Sequence, residues 1–529
     1  MFDTRLRERA EEVFRRGQER TAGRPALEPL HHALGDALDR LGQPMRVAVV
    51  GKIKAGKSTF INALLGEPLV ATGAEELTYN VNRLRYGEQQ SLMVHFKDGR
   101  PPQPHALEEL EALTRRREEH RDFLSSIRHV EVFYPNDFLR AFDLVDTPGL
   151  KSFFEQDAQN TLDFLGLSAE DVQLATEQEA SGADAVLYLF QGGMSQSDLE
   201  TVVDFQGPAL GQVTPINAIG VLTMADTYWS HNAPAEEGGD PMAAGGRVAR
   251  RYAEEPRSRG VFYGIYPVAG KLALGAQTLT PHAFAMLQRL AEVSERRLAS
   301  LLGSPDRFCG REYEDVPLPA EARQELWDQL DPFGCWRACA LIRDGAVSSL
   351  NELRTALLTE SGVPAVHQLV LSHFGNRSLI IKLNSAVQRV ASVCHVEKQR
   401  PLGSERRIVE EVAADVERLA RQEHEFLEQE VLRGHYQGRL ELEEEEVQQL
   451  LQVTGEQGRS LQARLGLLPG DPVYLDEMLF LARERLRRWQ ALANDFLAGR
   501  ETVRAAEVVA RSYERVLHAL LQVRQQLGL

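Results

Sequence analysis

Two kinds of hydrophobic pattern divide this chain. Residues 45 to about 275 alternate short apolar runs with helical periodicity. The runs Val47–Val50, Leu92–Phe96, His129–Tyr134, Phe142–Val145, Ala185–Phe190, Ile216–Thr223 and Val261–Val268 read as strands. Several are continuously apolar, as strands covered on both faces must be. Before them, Leu6, Ala10, Val13 and Phe14 recur at helical spacing among Arg5, Glu8, Glu11, Glu12, Arg15 and Arg16. A proline-containing break and a second helical stretch follow, ending near Leu41. Beyond 281 the strand pattern stops. Heptad-like stretches occupy 281–302, 319–359, 376–399, 404–433, 440–465, 474–498 and 500–527. Breaks fall at Gly362-Val363-Pro364, Arg400–Gly403, Gly434 and Leu468–Pro472. The predicted fold is an α/β domain around a mostly parallel sheet, 45–280, joined to an elongated all-helical bundle, 281–529. Residues 1–44 form a helical preface, and 231–247, rich in Gly, Ala, Pro and acid, read as a loop.

Composition narrows the class only a little. Of 529 residues 43% are hydrophobic and 26% charged, ordinary for a globular protein. A net charge of −17 argues against nucleic acid as a partner and against broad attraction to anionic lipid, while leaving room for a local basic tip. The start lacks the apolar core of a signal peptide, and no 18-residue apolar run occurs. Four cysteines are too few for a disulfide scaffold, so a cytoplasmic location is expected. Cys335 and Cys339, four apart on a predicted helix, read as small core residues, with a metal or redox pair the alternative.

Lysine placement changes the picture. Three of the eight lysines fall within Gly51-Lys52-Ile53-Lys54-Ala55-Gly56-Lys57-Ser58, which fits GxxxxGK[ST] between a strand and a helix. In that context backbone N–H groups and a helix N-terminus face phosphates, and Lys57 supplies a compact ammonium that arginine could not replace. The nucleotide contacts expected here run from Gly51 through Thr59. Next, Phe142–Val145 leads into Asp146-Thr147-Pro148-Gly149. Asp146 can hold a Mg²⁺-bound water and Gly149 can present its N–H to a γ-phosphate. Val221-Leu222-Thr223-Met224-Ala225-Asp226 stands where [NT]KxD is expected, with Met224 in place of lysine. Asp226 would accept hydrogen bonds from guanine while the Met224 thioether covers its face. Ala269 and Gly270, in Pro267–Lys271, would close on the base through backbone N–H groups. Thr78 is the expected switch threonine and third Mg²⁺ ligand beside Ser58 and Asp146, with Thr72 the alternative. GTP or GDP with Mg²⁺ is the expected ligand set.

These motifs, GKIKAGKS, DTPG and LTMAD, resemble those of the dynamin superfamily, particularly bacterial dynamin-like proteins. The resemblance is specific over about 45–275 and architectural beyond. It implies that residues 1–44 return to pack with later helices as a neck and that the remaining helices form a trunk. It also implies GTP hydrolysis stimulated by assembly, with itself or with a second dynamin-like protein, often on a membrane. Two departures stand out. The position of the glutamine that orients water in eukaryotic dynamins holds Ile53. Lys54 follows where a small polar residue helps bind a monovalent cation, so its ammonium could supply that charge itself. For an anionic membrane at the inner face of the cell, the candidates are Lys398–Gly403 with Arg406 and Arg407, and the apolar loop Leu465–Pro469. Two readings follow: an assembling, membrane-remodelling GTPase, or a soluble GTP switch whose helical region grips a partner protein.

Overall fold

A computed structural model describes residues 2–51, 54–70, 81–110, 126–146, 183–192, 214–230, 239–400, 403–467 and 473–528, together with 113 and 123. The chain opens with two helices, α1 (Phe2–Thr21) and α2 (Glu28–Gly42). The nine strands that follow are β1 (Met45–Gly51), β2 (Val81–Tyr86), β3 (Ser91–Phe96), β4 (Gln103–His105), β5 (Ile127–Tyr134), β6 (Phe142–Asp146), β7 (Ala185–Gln191), β8 (Ala218–Thr223) and β9 (Ile265–Pro267). They form one sheet in the order β4-β3-β5-β2-β6-β1-β7-β8-β9. Pairings from β6 through β9 are parallel, as is β2 with β5; β2 runs antiparallel to β6, and β3 antiparallel to both its neighbours. The predicted mostly parallel sheet is therefore present, with an antiparallel edge.

Alternation along β1 shows why its run is apolar throughout. Val47 and Val49 face one core with Phe60 and Ile61 of α3 (Lys57–Leu65), while Ala48 and Val50 face another with Tyr188, Phe190 and Ala249 of α4 (Pro241–Glu254). Helix α4 corrects the loop reading of 231–247: Asp240 caps it, accepting from the N–H groups of Met242 and Ala243, and Pro241 sits at its first turn. Residues 231–238 lie outside the described residues. The run 261–268 contributes only β9, and Val81–Tyr86 is a strand that the apolar pattern did not predict.

Past the sheet come α5 (Gly270–Thr278), α6 (Pro281–Leu290), α7 (Ala320–Arg343) and α8 (Leu350–Glu360), which share a core around Leu272, Leu287, Leu326, Leu330 and Leu353. Cys335 and Cys339 are buried in it as free thiols. Helix α7 kinks at Asp331, whose φ of 58° precedes Pro332. Residues 363–398 are helical throughout, with a π-helical turn at Val370–Phe374 before α9 (Gly375–Lys398). His373 in that turn is buried, contacts the Pro215 carbonyl at 3.0 Å and packs tilted against Tyr263 with centroids 4.0 Å apart. The π turn thus ties the helical region to the sheet domain.

The rest is helical: α10 (Arg406–Gln422), α11 (His424–Tyr436), α12 (Glu444–Val453), α13 (Leu475–Ala493) and α14 (Arg500–Gln526). Leu6, Ala10 and Phe14 of α1 and Leu30 and Leu34 of α2 pack with Leu383 and Val390 of α9 and Val409 and Val412 of α10. Arg20 reaches Asp415 at 3.0 Å. Helices α13 and α14 are joined by a short turn, with Trp489 fully buried and donating to Gln449 at 3.0 Å. At 27 residues, α14 is about 40 Å long.

Candidate functional site

The ends of β1, β6, β8 and β9 converge on one edge of the sheet, the edge at which open α/β sheets bind ligands. β1 ends at Gly51, where a Cβ would collide with the Leu189 carbonyl oxygen of the neighbouring β7; only glycine permits that approach. The chain turns through Lys54 (φ 61°) and Gly56 (φ 75°), both left-handed, into α3 at Lys57. Non-glycine residues rarely adopt this backbone, and its use at Lys54 gives the loop its curl. Lys54 is exposed, Ala55 is buried, and Lys57, Ser58 and Thr59 are half-buried at the helix start. The Lys57 ammonium donates to the Gly51 carbonyl at 3.2 Å, folded back across the mouth of its own loop. Burial lowers its pKa, partly offset by the charge of Asp146.

Asp146 closes β6 in register with Val49 of β1 and Asn82 of β2. It is fully buried, and neither carboxylate oxygen meets a well-aligned hydrogen-bond donor among the described residues. Burial pushes its carboxyl up to about 6, with the Lys57 ammonium and the adjacent Asn82 side chain pulling the other way. A buried carboxylate with spare oxygens beside a phosphate-loop lysine is an incomplete arrangement of charge. A hydrated divalent cation completes it, so the residues present fit Mg²⁺.

The base end is built from β8 and β9. Thr223 donates to the Phe190 carbonyl at 3.0 Å and pins the ends of β7 and β8 together. Met224 follows at φ 55°, and its methyl lies 3.5 Å from where a Cβ on Gly56 would be. It therefore spans from the base motif to the phosphate loop. Asp226 is buried in a single turn of 3₁₀ helix, and Ala225 is held by the Val268 carbonyl at 3.0 Å. Burial first, and the nearby charge of Asp331 second, push the Asp226 carboxyl up to about 6; Lys271 acts in the opposite sense. Ala269 donates its N–H to the Ser361 carbonyl at 2.8 Å, and Gly270 packs against the start of α3 beside Thr59 and Phe60.

Of the residues the sequence singles out, Gly51, Lys54, Ala55, Gly56, Lys57, Ser58, Thr59, Asp146, Thr223, Met224, Asp226, Ala269 and Gly270 gather at this edge. Lys52, Ile53, Thr72, Thr78, Thr147 and Gly149 lie outside the described residues. Sequence reasoning missed Asp331, which holds the Lys271 ammonium at 2.5 Å. The available signal was an Asp-Pro pair interrupting a helical stretch.

The candidate lipid contacts fare differently. Arg400, Arg406 and Arg407 each pair with a glutamate on their own helical segment, at 2.9, 3.3 and 2.9 Å, and Leu465 is buried. Residues 401–402 and 468–472 are outside the described set. The turn between α13 and α14 presents Phe496 and Leu497 at 102% and 94% exposure. The helical reading of 474–498 concealed that turn, although Asn494-Asp495 and Ala498-Gly499 flank it. No described helix is long and apolar enough to cross a membrane.

Residues 47–224 match the family model described as the dynamin family. The isoniazid-induced protein IniC of Mycobacterium tuberculosis is 29% identical over 502 residues, spanning 92% of this chain and 94% of that protein. Dynamin-like protein 2 of Campylobacter jejuni is 27% identical over 201 residues, covering 34% of this chain and 32% of its own length. A bacterial dynamin-like protein of Nostoc punctiforme is 33% identical over 127 residues, 22% of this chain and 18% of that one.

Proposed function

We propose that this chain, a bacterial dynamin-like protein, binds Mg²⁺-GTP at the edge formed by β1, β6 and β8, hydrolyses it, and couples the cycle to assembly at a membrane surface. Membership of the dynamin superfamily implies guanine nucleotide binding and GTPase activity in general. The observation that carries the specific reading is the placement of Lys57, Asp146 and Asp226 on a single sheet edge.

The loop 51–59 and the N-terminus of α3 would bind the phosphates, with Lys57 leaving the Gly51 carbonyl for the β- and γ-oxygens. Ser58 and Asp146, with Thr78, would hold Mg²⁺, which when bound neutralises charge on the phosphates. Gly149 would offer its N–H to the γ-phosphate. Asp226 would accept from guanine N1 and N2 while Met224 lies over the ring and Ala269 and Gly270 close behind it. Ile53 cannot orient a water, which leaves that task to backbone groups and Thr78 and predicts slow turnover in isolation. Lys54, exposed at the crest of the loop, would supply the positive charge that a monovalent cation gives elsewhere. A rate independent of potassium that collapses in Lys54→Ala supports this; a rate unchanged by Lys54→Ala rejects it.

Membrane contact rests on Phe496 and Leu497, two large apolar side chains at the closed end of a helical hairpin. One observation favours the second reading, a switch acting on a partner protein: the first turn of α5, which follows the base loop, is fastened directly to α7 through Lys271 and Asp331. GTPase rate against protein concentration, with and without anionic vesicles, separates the two. A rate per molecule that rises with concentration and again with vesicles supports assembly on membrane. A flat rate with no vesicle co-sedimentation supports the switch. In either case Asp226→Asn should exchange guanine for xanthine nucleotide preference; retained guanine preference would refute the base assignment.

A further inference from the structure

The sheet face that carries Ala48, Val50 and Val145 becomes ionic toward its β3 edge. There Arg85 bridges Asp143 at 3.3 Å and Glu131 at 3.4 Å, and Glu131 meets the His95 Nε2 at 3.0 Å. His95 stands directly opposite His129 in the β3–β5 register, and their rings stack with centroids 4.3 Å apart. A register shift falls between His95 and Phe96, the kind of irregularity that re-aims a side chain.

We propose that His95, His129 and Glu131 form a binding site for one divalent transition ion of the Zn²⁺ type, with a fourth position open to water. One ligand atom from each residue lies within 4.8 Å of the others. A tetrahedral ion with ligands at about 2.1 Å needs them about 3.4 Å apart, so the ion would draw these side chains together by up to about 1.4 Å. Two imidazoles and one carboxylate suit a borderline ion and disfavour Mg²⁺, which takes oxygen ligands. The two oxygens of Glu131 are already divided between roles. Oε1 faces Arg85 and Arg83, at 3.4 and 3.8 Å, and Oε2 faces His95. An anchored outer oxygen of this kind orients a ligating carboxylate. Arg46, Arg83 and Arg85 face Glu131 and Asp143 here, with Asp184 acting on Arg46 from the next strands, so the ion must be held by its three ligands against one excess positive charge. The ion would clamp β3, and through it β4, onto β5.

Zn²⁺ titration of the full chain, saturated with Mg²⁺-GDP to keep the nucleotide site filled, tests this. The expected result is one equivalent bound, a raised thermal midpoint, and roughly tenfold or greater loss of affinity in His95→Gln and Glu131→Gln. His95 is part-exposed, so its variant should fold normally, as circular dichroism would verify. Co²⁺ in place of Zn²⁺ should give the visible absorption of a nitrogen–oxygen site in the wild type and lose it in His95→Gln. Equal binding by wild type and a folded His95→Gln, thiolate charge-transfer absorption with Co²⁺, or no Zn²⁺ taken up would each overturn the proposal.

Discussion

The Lys271 ammonium and the Asp331 carboxylate meet at 2.5 Å, joining the first turn of α5 to the kink of α7. The same carboxylate is the second cause, after burial, of the raised Asp226 pKa. Asp226 must be ionised to accept from guanine. GDP affinity measured without Mg²⁺ should therefore fall as pH drops through about 6. In Asp331→Asn the midpoint should move to lower pH, because a negative neighbour has gone. Fluorescent-GDP titrations from about pH 5 to about pH 8 would show the displacement. Superimposable profiles would mean that Asp331 does not act on Asp226.

Asp146 carries the reverse of the usual carboxylate contribution to stability. Its folded pKa of about 6 lies above the ordinary 3.8, so at neutral pH its buried charge opposes folding. Asp146→Asn should stabilise the nucleotide-free protein at pH 7, by on the order of 2–3 kcal/mol, while abolishing Mg²⁺-dependent binding. The advantage should shrink as pH falls from about 6 toward 3.8, where the wild-type residue takes up its proton in both states. Urea unfolding at two pH values measures it.

Met224 lies between Gly56 and the position proposed for the base. Met224→Ala should weaken GDP and GTP binding by about 1 kcal/mol, roughly fivefold, through lost contact with the ring. Met224→Lys, which restores the commoner motif, should bind at least as well as wild type. Calorimetry on both variants checks the order, and tighter binding by the alanine variant would contradict it.

Phe496 and Leu497 make no packing contribution at their present exposure, so replacing both with Ser should leave thermal stability within about 0.5 kcal/mol of wild type. Burying each in lipid is worth about 1.5–3 kcal/mol, so vesicle affinity should drop at least tenfold. Unaltered co-sedimentation would move the membrane contact elsewhere.

What the sequence made legible was whatever is local. The phosphate loop, the strand ending in Asp146 and the Thr223–Asp226 turn each carry their chemistry within ten residues, and the structure sets their described parts side by side. Strand β2 was hidden because Arg83 and Arg85 break its apolar run. Their charges are tolerated only because Glu131 and Asp143 arrive on neighbouring strands. Asp331 was hidden for a similar reason, since its partner Lys271 is 60 residues away. Phe496 and Leu497 fit a helical period and could be recognised as exposed only once the hairpin turn was placed.

The core shared by α1, α2, α9 and α10 has a consequence for how the protein is made. Arg20 and Asp415 are separated by 395 positions, with the whole sheet domain between them. At about 5–20 residues per second, α1 and α2 exist for roughly 20–80 seconds before their partners are synthesised. Throughout that interval Leu6, Phe14 and Leu34 have only the α1–α2 contact to cover them, and the α9 and α10 side of their core is missing. This four-helix unit can therefore close only after α10 has been synthesised, which makes α1 and α2 dependent on contacts from the far side of the sheet domain.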